Sequence, residues 1–250
     1  MNENIGIYKE DEFINALNNK KFGELNDNLK AMLKRMFVSL QDSNIFHVER
    51  IYGFLKPDFF IECRGEVHFV SLKTGSSIGV HQERLKTFIE YLREKGISEE
   101  TIKTILLYQY GDGTLDGTGE RRMPIEEINY RLLEQIKAAN LELNSSKDFI
   151  YEFIQRAIFV GVIEPKSPAD YVYHGDIEHG VICSRKQINK HLKYRTWSYI
   201  HGLHIGPLRF RPHARYVGVE IKNPESREKV DFEWIGLQHE LSTISDKYLW

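Results

Sequence analysis

At 250 residues, 41 % apolar and 28 % charged, the chain is long enough for one large domain or two small ones and too apolar to be disordered. A formal net charge of −2 argues against a nucleic-acid binder only on average, because it sums over unlike regions. No run of 18 apolar residues offers a transmembrane helix, the N-terminus lacks the basic and apolar stretches of a secretory signal, and Cys63 and Cys183 form no spaced motif; the expectation is a reduced, cytoplasmic protein with no membrane partner.

In chain order, helices are predicted over 10–19 and 23–39, the second from apolar residues at Leu25, Leu29, Met32, Leu33, Met36 and Phe37. A short extended piece or turn is expected over 45–54. Residues 58–63 and 67–73 read as two strands, and the Arg64-Gly65-Glu66 link marks a hairpin. An amphipathic helix is predicted over 80–95, carrying Leu85, Phe88, Ile89 and Leu92 and stopping at Gly96, followed by a buried strand over 102–110. The Gly-rich stretch 111–119 begins like an EF-hand loop at Asp112, but Met123 stands where the twelfth-position Glu belongs, so it reads as a plain connection. Helices are expected over 124–140 and 146–160, with Ser145-x-x-Asp148 as a capping signature for the second.

After Pro165 and Pro168 the texture turns to short β-like pieces at 170–174, 180–183, 194–200, 206–211, 214–221 and 229–236, with one short helix opened by Ser184-x-x-Gln187. The fold class is therefore α/β (α+β): helices on a mixed sheet over 1–162, then a β-rich part over 163–250. The seam falls near 162–168 and separates either domains or subdomains.

Chemistry concentrates at the hairpin. Asp58 opens its first strand and Ser71-Leu72-Lys73 close its second. With the turn near Gly65, positions 58 and 72 lie nearly opposite, and Ser71 and Lys73 share a face by the period of two. A carboxylate and an amine then meet at the end of a sheet. Phosphodiester hydrolysis needs a cation against the phosphate and an oriented, deprotonated water. Asp58 and the Leu72 carbonyl are hard oxygen donors for such a cation, and Lys73 can orient the water.

Pro57-Asp58 and the later Lys73, set in a hairpin between helices, resemble the PD-(D/E)XK nuclease superfamily, which includes many type II restriction endonucleases. The resemblance spans roughly residues 20–110. It implies a restriction-endonuclease-like fold, Mg²⁺ or Mn²⁺ as cofactor and double-stranded DNA as partner. A palindromic target implies a homodimer; a monomer is the alternative. Ser71 departs from the pattern, standing where an acid is usual; some restriction enzymes of the superfamily are similar in this, and in others a neighbouring helix supplies the missing carboxylate. The candidates here are Glu24, on the first long helix where the superfamily often places an accessory acid, and Glu83, on the helix after the motif. Glu62 is a third, further down its strand. His81 is a candidate phosphate donor, and Thr74 to Ser77 offer hydroxyls and amides suited to phosphate.

A second signal lies between His179 and Val219, which holds no Asp or Glu, where the chain's own composition predicts about six. It carries Arg185, Lys186, Lys190, Lys193, Arg195, Arg209, Arg211 and Arg215 as candidate DNA contacts. Leu208-Arg209-Phe210-Arg211 places both arginines on one face of a strand. His174, Asp176, His179 and Cys183, and His201 with His204, are metal-capable but complete no zinc pattern. The expectation is a Mg²⁺-dependent DNA endonuclease, most specifically a type II restriction enzyme. The alternatives are a DNA-binding protein on a decayed nuclease core and an enzyme acting on another anionic substrate.

Overall fold

The computed structural model describes residues 5–53, 55–74, 79–119, 122–162, 167–197, 199, 201–212 and 227–247. The chain opens with α1 (Ile5–Leu17), a 3₁₀ turn (Phe22–Glu24), α2 (Asp27–Lys34), β1 (His47–Arg50), β2 (Phe59–Cys63) and β3 (Glu66–Lys73). It continues with β4 (Gly79–Arg84), α3 (Leu85–Glu94), α4 (Glu99–Tyr110), α5 (Ile125–Arg131), α6 (Leu133–Leu143), α7 (Lys147–Ile154) and a π-helical segment (Gln155–Val160). The last part holds β5 (Tyr171–Gly175), β6 (Gly180–Ser184), α8 (Arg185–Leu192), β7 (His204–Ile205), β8 (Leu208–Pro212), β9 (Lys229–Trp234) and α9 (Leu237–Lys247). The class is mixed α+β, with two sheets. No helix among the described residues is long and apolar enough to cross a membrane.

Two compact units share the chain, each discontinuous in sequence. The first takes Met1–Ile78, Ile158–Tyr194 and Gly236–Trp250; the second takes Gly79–Ala157 and Arg195–Ile235. The 162/163 seam expected from sequence falls beside one of the points where the chain passes between them. Unit 1 is built on a five-stranded sheet of order β1-β2-β3-β5-β6, in which only β3 and β5 run parallel. The β2–β3 hairpin turns on Arg64 (φ 55°) and Gly65 (φ 80°), the positive pair that a two-residue turn with the right strand twist demands. Phe13 and Leu17 of α1 are fully buried, and the Phe13 ring meets Phe59 at 6.1 Å and Tyr173 edge-on at 5.0 Å. Each such side chain contributes about 1.5–3 kcal/mol by leaving water, so α1 is fastened to the sheet that carries the hairpin.

Unit 2 has an antiparallel sheet of order β4-β9-β8-β7. Its core is aromatic: the Phe88 ring lies 5.8 Å from Phe153, 6.1 Å from Phe210 and 5.2 Å from Phe232.

Several elements differ from expectation. Residues 102–110 are helix α4, not a strand; Ser98 caps it by accepting from the Thr101 N–H, and Gly111 ends it in the left-handed region at φ 62°. A short apolar run cannot by itself distinguish a buried strand from a buried helix, and here the cap decides. The 80–95 helix begins only at Leu85, because residues 79–84 pair with β9, some 150 positions away in sequence. The 23–39 helix is a 3₁₀ turn followed by α2, with Met36 and Phe37 buried beyond its end. The 124–140 helix breaks between α5 and α6, and the cap of α7 is Ser146, one residue after the expected Ser145. Residues 194–197 are not strand, and 214–221 lie outside the described residues. The hairpin, β1, β5, β6, β8, β9 and the capping box of Ser184 and Gln187 stand where the patterning puts them.

Candidate active site

The hairpin register sets Phe59 opposite Val70, which puts Asp58 across from Ser71, one residue short of the expected Leu72. The Asp58 N–H donates to the Val70 carbonyl at 2.8 Å, extending the ladder by one rung. Asp58 Oδ2 accepts from the Leu72 N–H at 2.6 Å and the Ser71 hydroxyl at 3.4 Å, and Lys73 Nζ stands 4.0 Å from the same oxygen. All three approaches fall on Oδ2, so among the described residues Oδ1 stays open. Lys73 Nζ donates to Ser71 Oγ at 3.0 Å and to the Leu72 carbonyl at 3.2 Å, which confirms that Ser71 and Lys73 share a face. Asp58 and Lys73 therefore meet at one sheet edge, with side chains 25 % and 18 % exposed.

α1 brings a further carboxylate, Glu10. Its carboxyl is pushed above its ordinary value by burial and then by the negative charge of Asp58, against the opposing pull of Arg50 and Lys73. Arg50 Nε lies 3.3 Å from Glu10, and Arg50 Nη2 lies 2.9 Å from Asp11. A carboxylate whose proton affinity is raised by burial and by a like charge is one that a cation relieves. Glu10 was not singled out from sequence, yet a signal existed: it lies three and seven residues before the buried Phe13 and Leu17, an acid on the apolar face of its helix.

The parallel β3–β5 pairing sets His174 beside Lys73. His174 is buried, its Nδ1 has no hydrogen-bond partner among the described residues, and burial, with Lys73 adding to it, holds its pKa below the ordinary value. The zinc grouping considered for it does not form: Asp176 Oδ1 accepts from the backbone N–H of Glu178 and His179, and the buried Cys183 thiol donates to the Leu241 carbonyl at 3.1 Å.

The other expected site residues stand elsewhere. Exposed Glu24 ends a 3₁₀ turn and accepts from the Lys21 N–H at 3.3 Å; the helix meant to carry it starts only at Asp27. Glu62 lies on β2 opposite Val67, away from the open end of the hairpin. Glu83 and His81 belong to unit 2, on strand β4 rather than a helix. Glu83 is almost wholly buried, 2.9 Å from His81 and 2.6 Å from Arg156; burial pushes its carboxyl up, but these two bonds outweigh it and hold it below its ordinary value. It is a closed internal ion pair. Thr74 ends the described part of its loop, and 75–78 lie outside the described residues.

The acid-free window divides between units. Arg185, Lys186, Lys190 and Lys193 lie on or just after α8 in unit 1, with Arg185 over the Phe159 ring at 5.6 Å and Lys186 and Lys190 exposed. Arg195, Arg209 and Arg211 fall in unit 2, and Arg215 lies outside the described residues. On β8, buried Leu208 and Phe210 alternate with half-exposed Arg209 and Arg211. The window is not free of acid in space: Glu233 of β9 holds Arg209 Nη2 at 2.6 Å and bonds Arg211 Nη1.

Among the described residues no three His, Cys, Asp or Glu side chains group to hold a metal. The donor set at the hairpin is smaller and harder: Asp58, Glu10 and the Leu72 carbonyl. It fits a cation such as Mg²⁺, which keeps several waters and takes only one or two protein carboxylates. No family model and no curated protein matches the chain.

Proposed function

We propose that this chain is a metal-dependent DNA endonuclease of the PD-(D/E)XK kind, most specifically a type II restriction enzyme. The observation that carries the reading is the meeting of Asp58 and Lys73 at the open end of one hairpin, with Asp58 Oδ1 uncommitted among the described residues and Glu10 near enough to feel the charge of Asp58. Asp58 and Glu10 are the carboxylates that hold the cation, Glu10 filling the role for which the resemblance implies an acid on the first helix. When bound, Mg²⁺ stabilises the charge that develops on the phosphate and sharpens the acidity of the attacking water. Lys73, fixed by Ser71 Oγ and the Leu72 carbonyl, orients that water. Ser71, bonded to both Asp58 and Lys73, keeps the two side chains in register. Lys186 and Lys190, exposed and four residues apart on α8, supply contacts to a phosphate backbone.

A second reading, DNA binding on a core that no longer cuts, draws on Ser71 in the place where the superfamily carries an acid. High-complexity genomic DNA, incubated with the full chain and Mg²⁺ or Mn²⁺, separates them. Discrete fragments that vanish with a chelator and with Lys73→Ala support the endonuclease. Retained binding with intact DNA in every metal favours the second reading, and neither binding nor cutting removes both.

A further inference from the structure

A cavity of unit 2, about 470 Å³, has no part in the chemistry above. Tyr108, Arg122, Asn129, Arg209, Arg211 and Glu233 line it, among others. Arg122 is 4 % exposed, and among the described residues its Nε and Nη2 are buried without a hydrogen-bond partner. Burying a cation in this way is costly, and proteins do so where a ligand completes the pairing. Arg209 and Arg211, by contrast, are both bonded to Glu233, and their side chains are half-exposed. Among the described lining residues Glu126 is the only other acid, so three arginines face two glutamates there. Burial holds the Arg122 guanidinium below its usual pKa; Arg227 pushes the same way, while Tyr108 and Asp112 oppose.

We propose that this cavity binds an oxyanion of the phosphate class, with Arg122 as its principal ligand. Three or more oxygens on one centre reach Arg122 and the outer nitrogens of Arg209 and Arg211 together; a carboxylate has only two. The volume leaves room for an organic body on the phosphate, and Asn129 Oδ1, buried and without a partner among the described residues, offers that body an acceptor. A free nucleotide and a nucleic-acid backbone carry the same group. The inference is independent of whether the hairpin cuts DNA.

The test is calorimetry and thermal unfolding of the full chain with inorganic phosphate, against sodium chloride at matched ionic strength. Wild type is expected to bind phosphate saturably and to melt higher in it. Arg122→Met is expected to bind about ten- to hundredfold more weakly, and to melt no lower than wild type without phosphate, because it removes an uncompensated charge. Arg122→Lys keeps the charge without the fork and falls between. Titration with a deoxynucleoside monophosphate and with a short duplex then assigns the source: the probe whose affinity Arg122→Met lowers is the natural form. No saturable phosphate binding by wild type, or equal binding by wild type and Arg122→Met, overturns the proposal. Should Arg122→Met fail to fold, the same two readouts on Arg122→Lys decide it, equal binding again being fatal.

Discussion

Carboxylates meet cations in both units, and the two meetings are built differently. In unit 2 the Glu83 side chain is 1 % exposed and Arg156 closes on it at 2.6 Å, with His81 on its other side. In unit 1 Lys73 stops 4.0 Å from Asp58, both are partly exposed, and Glu10 adds a second negative charge. An open pair of this sort is worth about 0–1 kcal/mol, whereas removing one partner of a buried pair costs about 3–5 kcal/mol. The carboxyl shifts run in opposite directions, Glu83 down and Glu10 up. A carboxylate held below its ordinary value is already stabilised by its partners; one raised by burial and then by a like charge would gain from a cation. On the proposed reading, the first holds a fold together and the second serves the chemistry.

The sharpest way to break this contrast is to exchange the expected consequences. Lys73→Ala is expected to lower Mg²⁺-dependent cleavage by about three orders of magnitude while moving the urea midpoint little; a large stability loss with cutting intact would make the hairpin pair structural. Arg156→Met is expected to cost about 3 kcal/mol of stability, read from urea unfolding, and unchanged stability would deny that the Glu83 pair is closed.

Acid titration sharpens the same point. Because the folded-state pKa of Glu83 is depressed, its contribution is present above the ordinary glutamate value of 4.5 and is lost as pH falls through the folded value. Glu10 works the other way: its ionised form costs stability at neutral pH, and that cost is relieved as pH falls through its raised pKa. Glu10→Gln is therefore expected to raise stability at pH 7 by a few tenths of a kcal/mol; a loss above about 1 kcal/mol would mean that its bond to Arg50 dominates. The smallest effect is expected at β8. Since Glu233 already offsets one of the two arginine charges, Arg209→Ala with Arg211→Ala should lower the salt slope of DNA binding by about 1, not about 2.

The hairpin was legible because its information is local. Period-two alternation, a Gly turn and the positions of Asp58 and Lys73 lie within sixteen residues, and one register error at Leu72 did not move the site. What stayed hidden was non-local. Residues 79–157 look like a continuation of the same core but fold mostly around β9 and β8, so the strand that completes the unit 1 sheet beside β3 comes from 171–175 and not from 102–110. The acid-free window failed for the same reason: no acid lies nearby along the chain, yet Glu233 lies across the sheet from Arg209. Glu10 sat in a run of charged residues, Lys9 to Glu12, where only its phase relative to Phe13 and Leu17 set it apart.

The most direct measurement is a calorimetric Mn²⁺ titration of the wild-type chain beside Glu10→Gln and Asp58→Asn, at pH 7 and without DNA. A saturable site in wild type that weakens in each single variant and disappears in the double variant is what two converging carboxylates require. Identical titration curves for wild type and the double variant would mean that Glu10 and Asp58 do not hold the cation.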